Sequence, residues 1–141
     1  MIFSYSRTVH LSDTDAAGVL YFANLLVICH EAYEESLLTV GINFNQLVRD
    51  TELAIPIVHS SANYFLPIRC GDKLSIQLQP QQLSDNEFEI NYQIFNSSSE
   101  KLLAKATTKH VCIATDSRKR MSVPTSMIEW LYNFASSEYN N

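Results

Sequence analysis

The sequence predicts an α+β protein in which one curved antiparallel sheet wraps around one long buried helix. Three observations carry this. From Leu20 to Leu38 nothing breaks a helix, and the first half of that segment is apolar on nearly every side. Further along, Leu74, Ile76 and Leu78, then Phe88, Ile90, Tyr92 and Ile94, alternate with polar residues as half-buried strands do. Short turn-forming clusters join those runs, as in antiparallel hairpins.

Each element follows in order. Phe3, Tyr5, Arg7 and Val9 share one face of an opening strand. Ser12-Asp13-Thr14-Asp15-Ala16-Ala17-Gly18 breaks it with turn and helix-capping residues. The helix expected over Leu20–Leu38 would be about 28 Å long and buried on all sides through Cys29, with Glu31, Glu34 and Glu35 marking where it meets solvent. Gly41 suits its stop. A mixed segment, Asn43 to Glu52, has room for a helical turn. Four consecutive antiparallel strands are then expected: Ala54 to Pro67, the runs of Leu74 and Phe88, and Leu103 to Ala114. They turn at Cys70-Gly71-Asp72, Ser84 to Glu87 and Asn96 to Ser99. The last strand has a face of small and polar residues, Ala104, Ala106, Thr108, His110 and Cys112, suited to close approach of a helix. Met127, Ile128, Leu131 and Phe134 form the apolar stripe of a short helix over 124–135, in which Trp130 reads as packing.

Composition bounds the function. With 141 residues, 46% hydrophobic and 18% charged, the chain reads as a single domain over 1–141 able to bury its own core. Ten basic against fifteen acidic residues leave a net charge of −5, which speaks against nucleic acid as a partner. Cys29, Cys70 and Cys112 are odd in number, scattered and flanked by apolar residues, so they read as buried thiols rather than as disulfides or zinc ligands. The N-terminus lacks a signal-peptide pattern. The most apolar segment, Val19 to Cys29, is half the length a bilayer crossing needs. A soluble, cytoplasmic protein with no membrane contact is expected.

The chemistry-bearing motif is Asp13-Thr14-Asp15 at the mouth of the apolar helix. Both Asp and Thr are favoured helix caps, which is one reading of the motif. The other is catalytic. A carboxylate partly desolvated there gains reactivity, and the helix N-terminus offers unpaired N–H groups for an oxyanion. Carboxylate and amides together suffice for transfer of an acyl group to water.

The run Asp13-Thr14-Asp15-Ala16-Ala17-Gly18-Val19-Leu20-Tyr21-Phe22-Ala23-Asn24 resembles the signature of the hot-dog-fold acyl-CoA thioesterases of the 4-hydroxybenzoyl-CoA thioesterase group, Asp-x-Asp-x-x-Gly before a long central helix. The element order resembles that fold over nearly the whole chain. Within the group, Val19 to Asn24 and Cys29-His30-Glu31-Ala32-Tyr33-Glu34 look most like the cyanobacterial 1,4-dihydroxy-2-naphthoyl-CoA hydrolases, which serve phylloquinone and menaquinone synthesis. The resemblance implies that Asp15 is the catalytic carboxylate, either attacking the thioester carbonyl or activating a water. It implies that Gly18 lets the chain turn tightly and that the backbone N–H of Phe22 polarises the thioester carbonyl. Asp13 is left to cap or order the loop.

Two departures stand out. The Tol-Pal-associated relatives carry His where this chain has Phe22. The basic cluster that binds CoA phosphates in the hydroxybenzoyl enzyme is absent around Ser84 to Glu87. Arg118, Lys119 and Arg120 form the only basic run and are the candidates for that task, against the alternative of a solvated loop. His10, His30, His59 and His110 share no metal-ligand spacing, so no metal and no cofactor beyond the CoA of the substrate is expected. His30 can meet the aromatic end of a substrate or serve as a core or interface residue. An exposed sheet edge predicts a homo-oligomer, dimer or tetramer, and hot-dog proteins typically build each active site where protomers meet. The alternatives are a thioesterase for short or medium fatty acyl-CoA and a non-catalytic acyl-binding module.

Overall fold

The computed structural model describes residues 1–135. Strand β1 (Phe3–Thr8) is followed by helices α1 (Asn24–Thr39) and α2 (Phe44–Arg49), then by strands β2 (Leu53–Ala54), β3 (Ile57–Tyr64), β4 (Lys73–Ser84), β5 (Glu87–Asn96), β6 (Leu102–Val111) and β7 (Ile113–Ala114), and by helix α3 (Thr125–Phe134). Five strands make one antiparallel sheet in the order β1-β4-β5-β6-β3, with α1 on its apolar face; β2 and β7 pair separately. This is the hot-dog arrangement. No helix among the described residues is long and apolar enough to cross a membrane.

Alternation dictates which residues face the helix. Leu74, Ile76 and Leu78 of β4 and Phe88, Ile90 and Ile94 of β5 are fully buried, while Ser75, Gln77 and Gln79 point away from the core. Pro80 sits in β4 beyond Leu78, the last residue that β1 covers, so on that side no strand is present to miss its N–H. The two-residue turn Asp85-Asn86 joins β4 to β5, as the composition of that stretch predicts.

Four expectations need correction. The helix begins at Asn24 rather than Leu20, because Leu20 and Tyr21 spend their N–H groups on Ile68 and Asp13, at 2.7 and 2.9 Å, tying the loop to neighbouring chain. Nor is α1 buried all round. Leu25, Ile28, Ala32 and Leu37 are sealed against the sheet, but Val27 and Leu38 are 54% and 51% exposed, since one sheet covers only one side. The strand read over Ala54–Pro67 splits, and β3 does not neighbour β4. It pairs with β6 at the far edge, and residues 65–72 run past Val19 and Leu20, ahead of α1, to reach β4. Similarly, β7 leaves the line of β6 to pair with β2. Lastly, Cys70 is exposed, opening the turn into β4, whereas Cys29 and Cys112 are buried thiols.

The small inward face of β6 is buried as expected, and it leaves room for rings. Tyr33 of α1 packs on His110 at 5.1 Å between centroids and on Trp130 at 5.5 Å. The Trp130 indole N–H donates to Ser36 Oγ at 2.9 Å, which ties α3 to α1 inside the core. Met127, Leu131 and Phe134 complete that contact, while Ile128 is part-exposed at its rim.

Candidate active site

The Asp-x-Asp loop is built on Arg7. Its guanidinium grips Asp13 through both terminal nitrogens, and it reaches Glu31 of α1 through Nε at 2.9 Å and Nη2 at 3.2 Å. Tyr5 donates its hydroxyl to the same Glu31 carboxylate at 3.2 Å. Asp13 also accepts the His10 N–H at 2.8 Å. Hydrogen bonding from Arg7 holds the Asp13 carboxyl below its ordinary pKa. With its oxygens spent, Asp13 orders the loop, as the sequence suggests. Its carbonyl oxygen also accepts from the Tyr21 N–H and from Asn24 Nδ2, both at 2.9 Å, closing the loop onto the first residue of the helix.

Asp15 has the opposite surroundings. Its backbone is pinned, N–H to the Val19 carbonyl at 2.9 Å and carbonyl to the Gly18 N–H at 3.0 Å. Its Oδ1 accepts the Ala17 N–H at 2.8 Å, which orients the carboxylate and leaves Oδ2 without a partner among the described residues. The turn needs Gly18, whose φ of +78° is the left-handed conformation. Asp15 itself is exposed, so the desolvation expected from the sequence is not supplied by this chain alone. Because the helix starts nine residues later, the loop carries Asp15 out to the surface.

Phe22 lies in the turn before the helix, and its N–H makes no backbone hydrogen bond among the described residues. Its carbonyl accepts from the Tyr64 hydroxyl at 2.6 Å, a bond from the last residue of β3 that steadies the turn. Beside it, Val19, Leu20 and residues Tyr64–Ile68 line an apolar groove of about 270 Å³. Asp15, Gly18 and Phe22 are thus brought to one corner.

The basic run is not brought there. Ala114 donates to the Lys119 carbonyl at 2.8 Å, and Arg120 reaches Asn86 Oδ1 at 3.3 Å, so Arg118–Arg120 sit on an exposed hairpin beside the β4–β5 turn. Asp15 lies near the other end of β4, twelve residues and roughly 35–40 Å of strand away.

At that far end, His30, Tyr33, Phe44, Leu47, Ile57 and His110 help line a cavity of about 510 Å³. The histidines with no shared spacing in sequence, His30 and His110, meet there. His110 escapes a motif-based reading altogether. Its only signal is a polar ring on the inward face of β6.

Comparison with known proteins places this geometry. A family model described as the thioesterase-like superfamily matches residues 9–131. The chain is 52% identical to a 1,4-dihydroxy-2-naphthoyl-CoA hydrolase of Crocosphaera subtropica, over 91% of this chain and 94% of that one. It is 53% identical to one of Gloeothece citriformis, over 95% and 94%. The crystal structure of a 1,4-dihydroxy-2-naphthoyl-CoA thioesterase from Synechocystis superposes with a TM-score of 0.91 at 39% identity, covering 94% of this chain and 97% of that one.

Proposed function

This chain belongs to the thioesterase-like superfamily, and we propose that it hydrolyses 1,4-dihydroxy-2-naphthoyl-CoA to 1,4-dihydroxy-2-naphthoate and CoA, a step of phylloquinone or menaquinone synthesis. The observation that carries this reading is the Asp15 corner. An oriented carboxylate with one open oxygen stands in the same loop as an unpaired N–H, in a chain about half identical to such hydrolases over almost its full length.

In this reading the thioester carbonyl points its oxygen at the Phe22 N–H, which strengthens its hold as negative charge develops there. Asp15 has two courses. As a base, it takes a proton from water, and the resulting hydroxide adds to the carbonyl carbon. The tetrahedral intermediate then collapses, the C–S bond breaks, and the CoA thiolate leaves to take up a proton. As a nucleophile, it displaces the thiolate directly, and water cleaves the mixed anhydride that results. Both courses need the Asp15 carboxylate. Asp15→Ala should therefore lower kcat by about 100-fold or more with little change in melting temperature. A folded variant with wild-type turnover would overturn the assignment.

The same reading includes a homodimer. Strand β3 is a sheet edge along which Ile57 and Val58 are 44% and 54% exposed, an edge suited to pairing with a second copy. A two-fold axis normal to the sheet makes that pairing antiparallel, so the Tyr64 end of one copy meets the Ile57 end of the other. Asp15 of one copy then approaches the cavity and the Arg118, Lys119 and Arg120 hairpin of the other, which puts cations within reach of the CoA phosphates. Light scattering should give a multiple of the 16.0 kDa chain mass; the mass of a single chain would overturn the pairing. The free thiols suit the cytoplasm.

A further inference from the structure

The cavity at the far end of the sheet holds polar groups that the hydrolytic chemistry does not use. His110 is 1% exposed, and its ring is clamped flat on Phe88, 4.7 Å between centroids at 8°. Tyr33 tilts against its other neighbours, with His30 and Phe44 beyond. A buried ring held this firmly is a preorganised hydrogen-bonding group.

The bonding pattern says what it can take. His110 Nε2 is 2.8 Å from Thr108 Oγ1, which is 3.3 Å from the Tyr92 hydroxyl. That buried chain commits Nε2 and leaves Nδ1 for the cavity the residue lines. Burial, with His30 adding to it, pushes the His110 pKa down to about 4, so the ring is neutral near pH 7. If Nε2 accepts from Thr108, then Nδ1 carries the proton and donates; if Nε2 donates, Nδ1 accepts. A hydroxyl satisfies either state, being both donor and acceptor. An ionic group fares worse. The acid at the cavity, Asp50, already accepts the Glu52 and Leu53 N–H groups with Oδ1 at 2.8 and 3.1 Å. Thr115 spends its hydroxyl on the Thr51 carbonyl, His30 adds a second imidazole, and most of the remaining wall is apolar, including Phe44, Leu47 and Ile57.

We infer that His110, with Tyr33 beside it, receives a ring hydroxyl of the aromatic acyl group and so sets the preference for hydroxylated over plain aryl thioesters. The inference rests on the hydrolase reading and on β3 pairing, which brings the mouth of the cavity at Ile57 to the Asp15 corner of a second copy. His110 is a specificity residue and does not touch the breaking bond.

The test compares 1,4-dihydroxy-2-naphthoyl-CoA with 2-naphthoyl-CoA, which lacks both hydroxyls. Wild type should favour the hydroxylated ester in kcat/KM by about tenfold or more. His110→Phe, which keeps an aromatic ring against Phe88, should bring the ratio close to one by lowering kcat/KM for the hydroxylated ester more than for 2-naphthoyl-CoA. Should that variant fail to fold, Tyr33→Phe removes a single oxygen and should reduce the ratio in the same direction. Equal losses on both esters, or an unchanged ratio in folded variants, would overturn the inference. Wild-type hydrolysis of neither ester would instead overturn the hydrolase reading. The cavity is then judged by titrating protein with 1-hydroxy-2-naphthoate and 2-naphthoate. His110→Phe must weaken the first selectively for the inference to stand, and equal weakening overturns it.

Discussion

The two ends of the sheet are held together by different physics. At the Asp15 end, the loop is laced by ion pairs and hydrogen bonds running from Arg7 to Asp13 and Glu31, and the reactive groups stand in solvent. At the His110 end, rings close on rings: Tyr33, Phe44, Phe88, His110 and Trp130 have centroids 4.7 to 6.1 Å apart in successive contacts. The first end can move charge and protons but cannot exclude water. The second is shaped by packed rings but carries no reactive carboxylate. Within one protomer, chemistry and shape are separated by the length of a strand, and pairing of β3 edges is what would join them.

Acid should separate the two ends most strongly. His110 is kept neutral with a pKa of about 4, against 6.5 when unfolded. Between those values the unfolded chain binds a proton that the native chain does not, so stability falls as pH drops from about 6.5 to 4. The loss is on the order of 3 kcal/mol. Asp13 loses its contribution in the same direction but at lower pH. Its carboxyl is held below 3.8, so its contribution persists through that window and is lost only at lower pH. Urea unfolding across pH 3–7 should show the first loss in wild type and its absence in His110→Phe. A flat profile in wild type would contradict a neutral buried ring.

The next break touches only the charged end. Asp13→Asn leaves Arg7 with Glu31 alone and should cost about 2 kcal/mol, or roughly 5–8 °C in melting temperature. It should lower kcat far less than Asp15→Ala does. If Asp13→Asn instead abolished turnover at an unchanged melting temperature, the division of labour between the two carboxylates would be reversed. The smallest effect belongs to the basic hairpin. Arg118→Ala should raise KM for the CoA ester a few-fold without changing kcat, with the difference fading in high salt. A KM that ignores both substitution and salt would remove the hairpin from CoA binding.

What could be read in the sequence follows from how far each contact reaches along the chain. Asp13, Asp15 and Gly18 lie within six residues, so turn chemistry shows in the letters, as does the inward face of β6 from Ala104 to Cys112. Arg7 and Glu31 are 24 residues apart, and no local pattern announces that they share a site. The place of β3 was hidden for a related reason. Two strands separated by a short turn-like stretch read as a hairpin, and only the assembled sheet shows β3 pairing with β6 while residues 65–72 run past Val19 and Leu20 to reach β4. The apolar start of α1 reads as full burial because hydropathy records which faces want cover, not which chain supplies it. Val27 and Leu38 remain uncovered in the protomer. Asp15 is exposed for the same reason, since the enclosure expected around it is not built by its own chain.

The bond from the Tyr64 hydroxyl to the Phe22 carbonyl has a consequence for the life history of the molecule. Tyr64 ends the edge strand, and Phe22 stands at the proposed reacting corner, so if copies pair along β3, the seam between them and that corner would be mechanically one piece. In that pairing a newly made chain would complete its fold before it acquired its activity. Between release and encounter with a second copy it would be a finished structure and a silent enzyme.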